Sequence, residues 1–323
     1  MKILKYFIAT IILATIVNVA FAKNLTVESK KQVYDEQKKL ITLEQEVKVT
    51  VDDVNVRSPK AFLTINQAGK PDTATFVEGA HAIQVTKNSK SETKANILKL
   101  SLISKEVEAT GNVESKIEKL GKPTVTIKSD YQSFNTETNL MEAKENVVMT
   151  YDDIKTNSNS AKIWLSKKGG LEYLKLIGNA KVMQDKIVVS GSEVNLDANT
   201  EVLTSAGSTY TNVKIDDATT VKIWAHNQQY NNKTNTAMAS GAVKIIYNDY
   251  VATGPKAVML ADSKARRPNK IIFSGRSKIK EGDKSIEADS IIITMNPKNF
   301  TAEGNVKTQI NNLENLDSGN KGR

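Results

Sequence analysis

Side chains able to perform chemistry are scarce in this chain of 323 residues. The sequence has no cysteine, and its two histidines are His81 and His226. Thiol nucleophiles, disulfides and Cys/His zinc sites are thereby excluded, and a Ser-His-Asp triad would need one of those two rings. Because the two histidines occupy unrelated places in the repeated sequence pattern, structural or surface roles are favoured for both. We therefore predict no catalytic residue, no metal site and no cofactor.

Consecutive acidic residues are the other candidates for chemistry. They occur at Asp52-Asp53 and Asp152-Asp153, and Asp249 follows Asn248 in a similar context. Paired carboxylates can serve in acid–base catalysis or bind calcium. Consecutive side chains of a strand point to opposite faces, however, and Asp stabilises a hairpin turn. We interpret these residues as turn residues. Since phosphate-binding loops, dinucleotide fingerprints and nucleophile elbows are also missing, the protein is not expected to be an enzyme.

The charge balance indicates an anionic partner without identifying it. The formal net charge is +9, and charged residues make up 25% of the chain. Aromatic and basic residues are not interleaved as in nucleic-acid-binding surfaces, so no nucleic acid is expected. Arg266-Arg267 could contact lipid phosphates, although dispersed basic residues are typical of a solvated surface. Trp164 and Trp224 are expected to be core or rim anchors rather than ligand platforms.

The first residues are typical of an export signal. Lys2 and Lys5 precede an uncharged apolar stretch from Tyr6 to Val19. Ala20-Phe21-Ala22 then has small residues at the two positions that a signal peptidase reads. Residues 1–22 are therefore predicted to be a signal peptide that is cleaved after its last alanine. If the segment stays uncleaved, it would be a membrane anchor instead. In both cases the rest of the chain is exported.

A short motif of the type Gly-Asn-Val recurs along the chain. The position of its glycine defines a marker, and successive markers are 29–34 residues apart. A period of this length is typical of a repeat architecture. The nine markers are Gln45, Gly79, Gly111, Glu145, Gly178, Gly207, Gly241, Gly275 and Gly304.

The markers also group by threes. Residues 50–53, 150–153 and 246–249 read Thr-Val-Asp-Asp, Thr-Tyr-Asp-Asp and Ile-Tyr-Asn-Asp, and they follow equivalent markers. Chance similarity between strands could produce one such match but is a poor explanation of three in order. We predict three tandem repeats of about 100 residues, 25–124, 125–220 and 221–310, followed by a flexible tail at 311–323.

Apolar residues alternate around each marker, as in Val107, Ala109, Gly111 and Val113. A period of two predicts half-buried strands with one apolar face. A glycine at a fixed place within each strand indicates a bend or bulge where a side chain would not fit. With turn residues between the strands, the pattern predicts an all-β, antiparallel fold of about eighteen strands.

Several segments resemble the OstA-like (LptA) family of periplasmic lipopolysaccharide-transport proteins. The resemblance lies in Leu25–Ser29 with Glu44–Val51, in Gly69–Phe76, in Glu78–Ala82 and in Glu108–Val113, which follow one another in family order. It implies a long antiparallel β-jellyroll (β-taco) over residues 23–310 that shields the acyl chains of lipopolysaccharide or a related lipid. It also implies edge-strand pairing with other β-jellyroll proteins, between an inner-membrane ABC exporter and an outer-membrane translocon, and head-to-tail self-association. The expected location is the periplasm. Three copies make this chain longer than the family's bridge protein, so a longer bridge segment, a fusion with the anchored member, or a relative carrying another lipid remain alternatives.

Residues that lie an even number of positions from a marker share its parity and are on the same face of the strand as the marker. Those listed below are predicted to form the lipid-binding interior. They would line one continuous track that touches acyl chains. The alternative is a structural or adhesive β-solenoid with a filled core. The predicted interior residues are Val47, Val49, Ile83, Val113, Val147, Met149, Ala180, Val182, Val213, Ile215, Val243, Ile245, Ile279 and Val306.

Overall fold

A computed structural model describes most of the chain after the predicted signal peptide. The predicted signal peptide and most of the predicted tail lie outside the described residues. The described chain divides into two compact units. An N-terminal unit contains described residues 25–182 with 195–199, and a C-terminal unit contains 183–194 with 200–311. The described ranges are 25–51, 54–166, 170–214, 219–261, 268–295 and 298–311.

Strands account for nearly all of the described structure, and every strand pairing that the structure defines is antiparallel. The predicted all-β, antiparallel fold is thereby confirmed. The strands are β1 (Leu25–Glu28), β2 (Lys31–Asp35), β3 (Leu40–Val51), β4 (Val54–Ile65), β5 (Pro71–Val77), β6 (Ala80–Val85), β7 (Ser89–Ala95), β8 (Ile97–Ser101), β9 (Glu106–Lys119), β10 (Val125–Asn135), β11 (Leu140–Tyr151), β12 (Ile154–Leu165), β13 (Leu171–Gln184), β14 (Ile187–Asp197), β15 (Val202–Lys214), β16 (Thr220–Asn231), β17 (Thr236–Tyr247), β18 (Tyr250–Ala261), β19 (Pro268–Glu281), β20 (Lys284–Met295), β21 (Lys298–Glu303) and β22 (Lys307–Ile310).

The strand count differs from the expected eighteen for a simple reason. Among the described residues, 22 strands are defined, but four successive pairs are halves of one interrupted extended segment. Both β1 and β2 pair with β3, and both β21 and β22 pair with β20. Likewise β5 and β6 both pair with β4, and β7 and β8 both pair with β9. Counting each interrupted segment once recovers the eighteen strands that the sequence pattern predicts.

The interruptions and the markers have one structural cause. All nine markers have a left-handed backbone, with φ between 62° and 98°. At most markers the next residue is also left-handed, as in Gly111-Asn112, with φ of 79° and 48°. The strand register shifts at these places, for example between Glu44 and Val47 and between Ser240 and Val243. The extra residue in one strand is a β-bulge that bends the sheet, so the predicted bend at each marker is confirmed.

The bend gives each strand two halves, and we name the two resulting surfaces. The first wall consists of the strand segments that precede the markers, with the segments paired to them. The second wall consists of the segments that follow the markers, again with their paired segments. In the C-terminal unit, Ile271 and Phe273 of the first wall share one buried cluster with Val243 and Ile279 of the second wall. The apolar face of the sheet thus covers itself within that unit.

Turn chemistry sets the hairpins between strands. Asn135 Oδ1 accepts hydrogen bonds from the backbone N–H groups of Glu137 and Thr138, at 3.0 Å each. At Asp152-Asp153 the flanking residues Tyr151 and Ile154 pair directly, which makes a two-residue hairpin turn. The interpretation of these acidic residues as turn residues is confirmed there, whereas Asp52-Asp53 lie outside the described residues.

We expect Gly111→Ala to destabilise the protein more than Gly121→Ala. Both glycines have positive φ, so both variants share the cost of a left-handed alanine. A Cβ at Gly111 would lie 2.5 Å from Asn96 Nδ2, whereas a Cβ at Gly121 meets nothing within 4 Å. The free energy of unfolding, measured with urea, should fall by about 1–3 kcal/mol more for Gly111→Ala, the usual cost of overpacking. An equal loss in the two variants would contradict the role of close approach at the bend.

Candidate functional site

The apolar interior between the two walls is the candidate site. Most of the residues predicted for it are buried, and they lie on the second wall. Side chains that alternate with them face outward, for example Lys48 and Lys244. Whether lipid touches these residues stays a prediction. The buried members are Val47, Val49, Val113, Val147, Met149, Ala180, Val182, Val243, Ile245 and Ile279.

The predicted inward position of Ile83 is wrong. In β6 the buried residues are Ala80, Ala82 and Gln84, so Ile83 lies on the outer face. The physical reason is the placement of the left-handed pair. It consists of Glu78 and Gly79 in this strand, so the glycine is its second residue rather than its first. A bend that begins one residue earlier reverses the alternation after it.

Three other predicted residues have different outcomes. Val213 is partly buried and packs against the core of the C-terminal unit. Val306 is 51% exposed, so its predicted burial is wrong in this structure. It precedes the edge strand β22, whose described residues pair only with β20 and are exposed throughout. An edge strand has no neighbour to cover a second side. Ile215 lies outside the described residues.

The predicted interior residues do not include the first wall, which carries most of the largest fully buried side chains. Of the ten largest fully buried residues, nine lie on this wall and Ile127 is on the second. Most of the nine precede their marker by two or four residues, as Leu174 and Leu176 precede Gly178. Because two and four are even offsets, these residues lie on the same strand face as their marker, and the alternation around the markers could have identified them as buried. The nine residues are Phe76, Phe273, Leu43, Leu98, Met141, Ile163, Leu174, Leu176 and Ile271.

Both walls of the N-terminal unit line an apolar pocket next to β1. Leu43, Ala74 and Phe76 line it from the first wall, and Leu25 and Val49 from the second. The pocket volume is about 10 Å³, which is roughly the room that one water molecule needs. The walls therefore pack closely there, and an acyl chain could enter only if they moved apart.

Several hydroxyl groups on the inner face are buried among these apolar side chains. Thr156 is 1% exposed and Ser158 is 7% exposed, and both lie on the second-wall part of β12. Neither Thr156 Oγ1 nor Ser158 Oγ has a hydrogen-bond partner among the described residues. A buried hydroxyl without a partner costs about 1–3 kcal/mol. A ligand with an acceptor group, such as an ester carbonyl, would relieve that cost.

The outer face is charged, and its ion pairs explain the pKa of Glu92 on β7. Glu92 Oε1 lies 2.8 Å from His81 Nε2 and 3.1 Å from Lys94 Nζ, and Glu92 Oε2 lies 3.4 Å from Lys90 Nζ. The hydrogen bond from Lys94, followed by that from His81, lowers the pKa of Glu92 to about 2. His81 thus belongs to a surface ion cluster.

The tryptophans also stand on the outer face rather than in the core. Trp164 contacts Tyr173 edge to face, with ring centroids 5.4 Å apart. Trp224 lies 5.1 Å from the ring of Tyr210, and Lys244 Nζ lies 5.6 Å from the centroid of Trp224. These cross-strand contacts stabilise neighbouring strands.

Metal-binding clusters and membrane-spanning helices do not occur in the described ranges. Within them, no group of three or more histidine, aspartate or glutamate side chains could hold a metal ion. His226 is exposed and lies beside Gly241, far along the chain from His81. None of the described segments forms a helix long and apolar enough to cross a membrane.

The fold and site define a class: an all-β protein whose antiparallel sheet folds over an apolar interior and carries a charged outer face. No family model and no curated protein matches the chain. Among solved structures it is similar to LptH of Pseudomonas aeruginosa, described as the LptA-homologous periplasmic component of the lipopolysaccharide transport device. The two share 12% identity with a TM-score of 0.35, over 40% of this chain and 95% of that one. A similarity this low carries no argument about the function of this chain.

Glu92→Gln should make the protein less sensitive to acid. Because folding lowers the pKa of Glu92 from 4.5 to about 2, its stabilising contribution is complete above about pH 4.5 and is lost as the pH falls toward 2. Wild-type protein should therefore lose more unfolding free energy than Glu92→Gln between pH 5 and pH 2. Urea titrations across that range measure the difference.

Glu36→Gln is the control, since Glu36 is an exposed carboxylate in the turn before β3 and has no ion pair within the described ranges. If Glu92→Gln and Glu36→Gln follow the same pH profile, the ion cluster does not stabilise the folded state.

Proposed function

We propose that the protein is an exported, non-enzymatic lipid carrier of the periplasm. Its folded sheet would shield the acyl chains of lipopolysaccharide or a similar lipid during passage from the inner to the outer membrane. The observation that carries this proposal is the buried apolar interior that both walls form. The sequence resemblance to the OstA-like family supports the same function.

The free energy of burying apolar surface favours such an interior as a path for acyl chains. Burial of each methylene contributes ~0.8 kcal/mol. Val47, Val113 and Val243 are buried valines, and each follows its marker by two residues on the second wall. A chain held by equivalent apolar sites can move from one to the next without crossing a charged residue. The walls must separate for this, which breaks the van der Waals contacts between them.

A filled-core structural or adhesive protein is the second candidate function. The close packing beside β1, where the pocket holds about 10 Å³, favours it, because a carrier with a preformed cavity would enclose more room at that place. The two candidates differ in one respect that can be measured, namely whether the inner face ever contacts lipid.

The proposed partners follow from the edges of the sheet. In the described part of the chain, β1 and β2 pair only with β3, and β21 and β22 pair only with β20. Unpaired edges can accept another strand. We propose that other β-jellyroll proteins of an inner-membrane exporter and an outer-membrane translocon, or further copies of this chain, add there.

Photo-crosslinking groups at Val113 and Val243 should capture lipid if the walls part. Both residues are 1% exposed and face the interior. Groups at Lys116 and Lys244, which are exposed on the same two strands, are the matched controls. Purified lipopolysaccharide and a phospholipid would be supplied separately as probes. We expect labelling at the two valine positions to exceed that at the lysine positions at least tenfold.

Thermal unfolding of each labelled variant verifies that it is folded before irradiation. Equal labelling of inner and outer positions, or none at any position in folded protein, would leave the filled-core protein as the better account.

The export step has a separate test. We expect the intact mass of the protein recovered after export to correspond to a chain that begins at Lys23, because residues 20–22 fit the peptidase site. A mass that still includes Met1 would favour an anchored protein.

A further inference from the structure

Two strand pairs in the described chain mark the boundaries between the predicted repeats. We name them seams: β9 with β10 in the N-terminal unit, and β15 with β16 in the C-terminal unit. Their registers agree after a shift of 96 residues. Ser115 pairs with Ile127 in the first seam, and Thr211 pairs with Ile223 in the second. The two seams are therefore built to one plan.

Each seam contains the same hydrogen-bonded arrangement, which we call the clasp; it is buried in the first seam and partly buried in the second. Ser115 Oγ donates to Gln132 Oε1 at 2.7 Å, and Gln132 Nε2 donates to the Ile127 carbonyl oxygen at 3.2 Å. In the second seam, Thr211 Oγ1 donates to Gln228 Oε1 at 2.6 Å. Gln228 Nε2 donates to the Ile223 carbonyl oxygen at 3.3 Å. The glutamine comes from one strand and the hydroxyl from the other.

The clasp makes the register of a seam specific. Gln132 is 4% exposed, so its amide has little access to water. A slip of two residues would keep apolar side chains on the inner face but would separate the hydroxyl from the amide. A buried amide that loses its partner is destabilising. The clasp thus favours one register over the neighbouring ones.

The first edge of the sheet carries the glutamine half of the clasp. Gln32 precedes Gln132 by 100 residues and follows Val27 by five, as Gln132 follows Ile127. Ser29 Oγ donates to the Lys31 carbonyl oxygen at 3.1 Å, and the equivalent Ser129 Oγ donates to the carbonyl oxygen of Tyr131 at 2.9 Å. Gln32 is exposed, and its side chain makes no hydrogen bond to any described residue.

The last edge carries the hydroxyl half. Thr308 follows the marker Gly304 by four residues, just as Ser115 follows Gly111 and Thr211 follows Gly207. It is exposed on β22. If β22 of one copy paired with β1 of another in the register of the first seam, Thr308 would lie opposite Val27 of that copy, with its Gln32 beside it.

Other residues of the two edges complement each other in the same register. Val306 would lie opposite Ser29, at the place where Val113 is buried in the first seam. Exposed Tyr34 would lie opposite Phe300, and Glu28 would lie opposite Lys307. The last pair has a counterpart in the first seam, where Lys128 Nζ lies 3.2 Å from Glu114 Oε1.

We propose that the two edges are the halves of a third seam, which a second copy of this chain completes in a single register. β21 and β22 of one copy add to β1 and β2 of the next, and Thr308 closes a clasp with Gln32. The inference rests on the edge-to-edge self-association within the proposed function and specifies its register. It does not depend on lipid, so its failure would leave the lipid test unaffected.

Cysteine trapping in the full chain tests the register, since the natural sequence has no cysteine. Purified Glu28→Cys and Lys307→Cys proteins are mixed and oxidised, and covalent dimers are measured on a non-reducing gel. These residues lie on the outer face, so the clasp stays intact. We expect dimers of Glu28→Cys with Lys307→Cys to exceed those of Glu28→Cys with Gln309→Cys, a shift of two residues, at least tenfold.

The first seam supplies the matched geometric control. Lys128→Cys with Glu114→Cys in one chain should form an intramolecular disulfide, because those residues are direct partners. Gln32→Leu, added to Glu28→Cys, should reduce the preference for position 307 over position 309 at least fivefold. That fold-change corresponds to the loss of one hydrogen bond. Because Gln32 is exposed in the single copy, the thermal stability of Gln32→Leu should not change.

Three results would overturn the proposal. Cross-linking at position 309 equal to that at 307 would show that no register is preferred. Dimers formed as readily by Glu28→Cys alone or Lys307→Cys alone would indicate like edges pairing with like. Failure of all intermolecular pairs, while the first-seam pair oxidises, would show that the edges do not meet.

Discussion

The bend that divides the long strands, and that coincides with the breaks between the short ones, is the constraint on which the rest of the structure depends. A single sheet with one apolar face is unstable in water unless something covers that face, and here the sheet covers itself by bending at the left-handed residues. The bends must line up across successive strands, because one straight strand would hold its neighbours flat. Close contact between neighbouring strands at the bends keeps the bends aligned. Gly241, for example, lies against His226 of the adjacent strand and has no room for a side chain.

The unequal walls connect this architecture to the proposed function. The first wall holds most of the largest fully buried side chains, such as Phe76 and Phe273, whereas the second wall combines alanine, valine and buried hydroxyls with larger residues such as Ile127 and Met149. Where the walls pack closely, as beside β1, ligand entry would exchange wall-to-wall contacts for wall-to-lipid contacts of similar chemistry. That exchange is inexpensive in hydrophobic free energy, since both states keep apolar surface away from water. The charged outer face, with Glu92 among its lysines, stays hydrated in either state.

The edge strands and the seam strands carry the same kinds of residues at equivalent positions of the repeat. Where one predicted repeat follows another within a unit, the amide of Gln132 or Gln228 joins the two strands, and it is buried at Gln132 and partly buried at Gln228. Where the described chain has no further strand, Gln32 and Thr308 remain exposed. The exposure of Val306, unexpected from its parity, has the same origin: its burial requires a neighbouring strand. An edge that resembles an interior seam is suited to accept a strand of matching sequence.

The sequence by itself determined the secondary structure, the period and the place of the bends. Alternation and turn residues are local properties, and the marker glycines report a backbone conformation that few other residues adopt. Most second-wall residues, Val113 among them, could be predicted from parity for the same reason. Only the tertiary structure decided the direction of Ile83, because a one-residue advance of the left-handed pair at Glu78 reverses all side chains after it. It also decided that the first wall holds most of the largest buried residues and that the walls lie in contact, since packing depends on partners far apart in the chain.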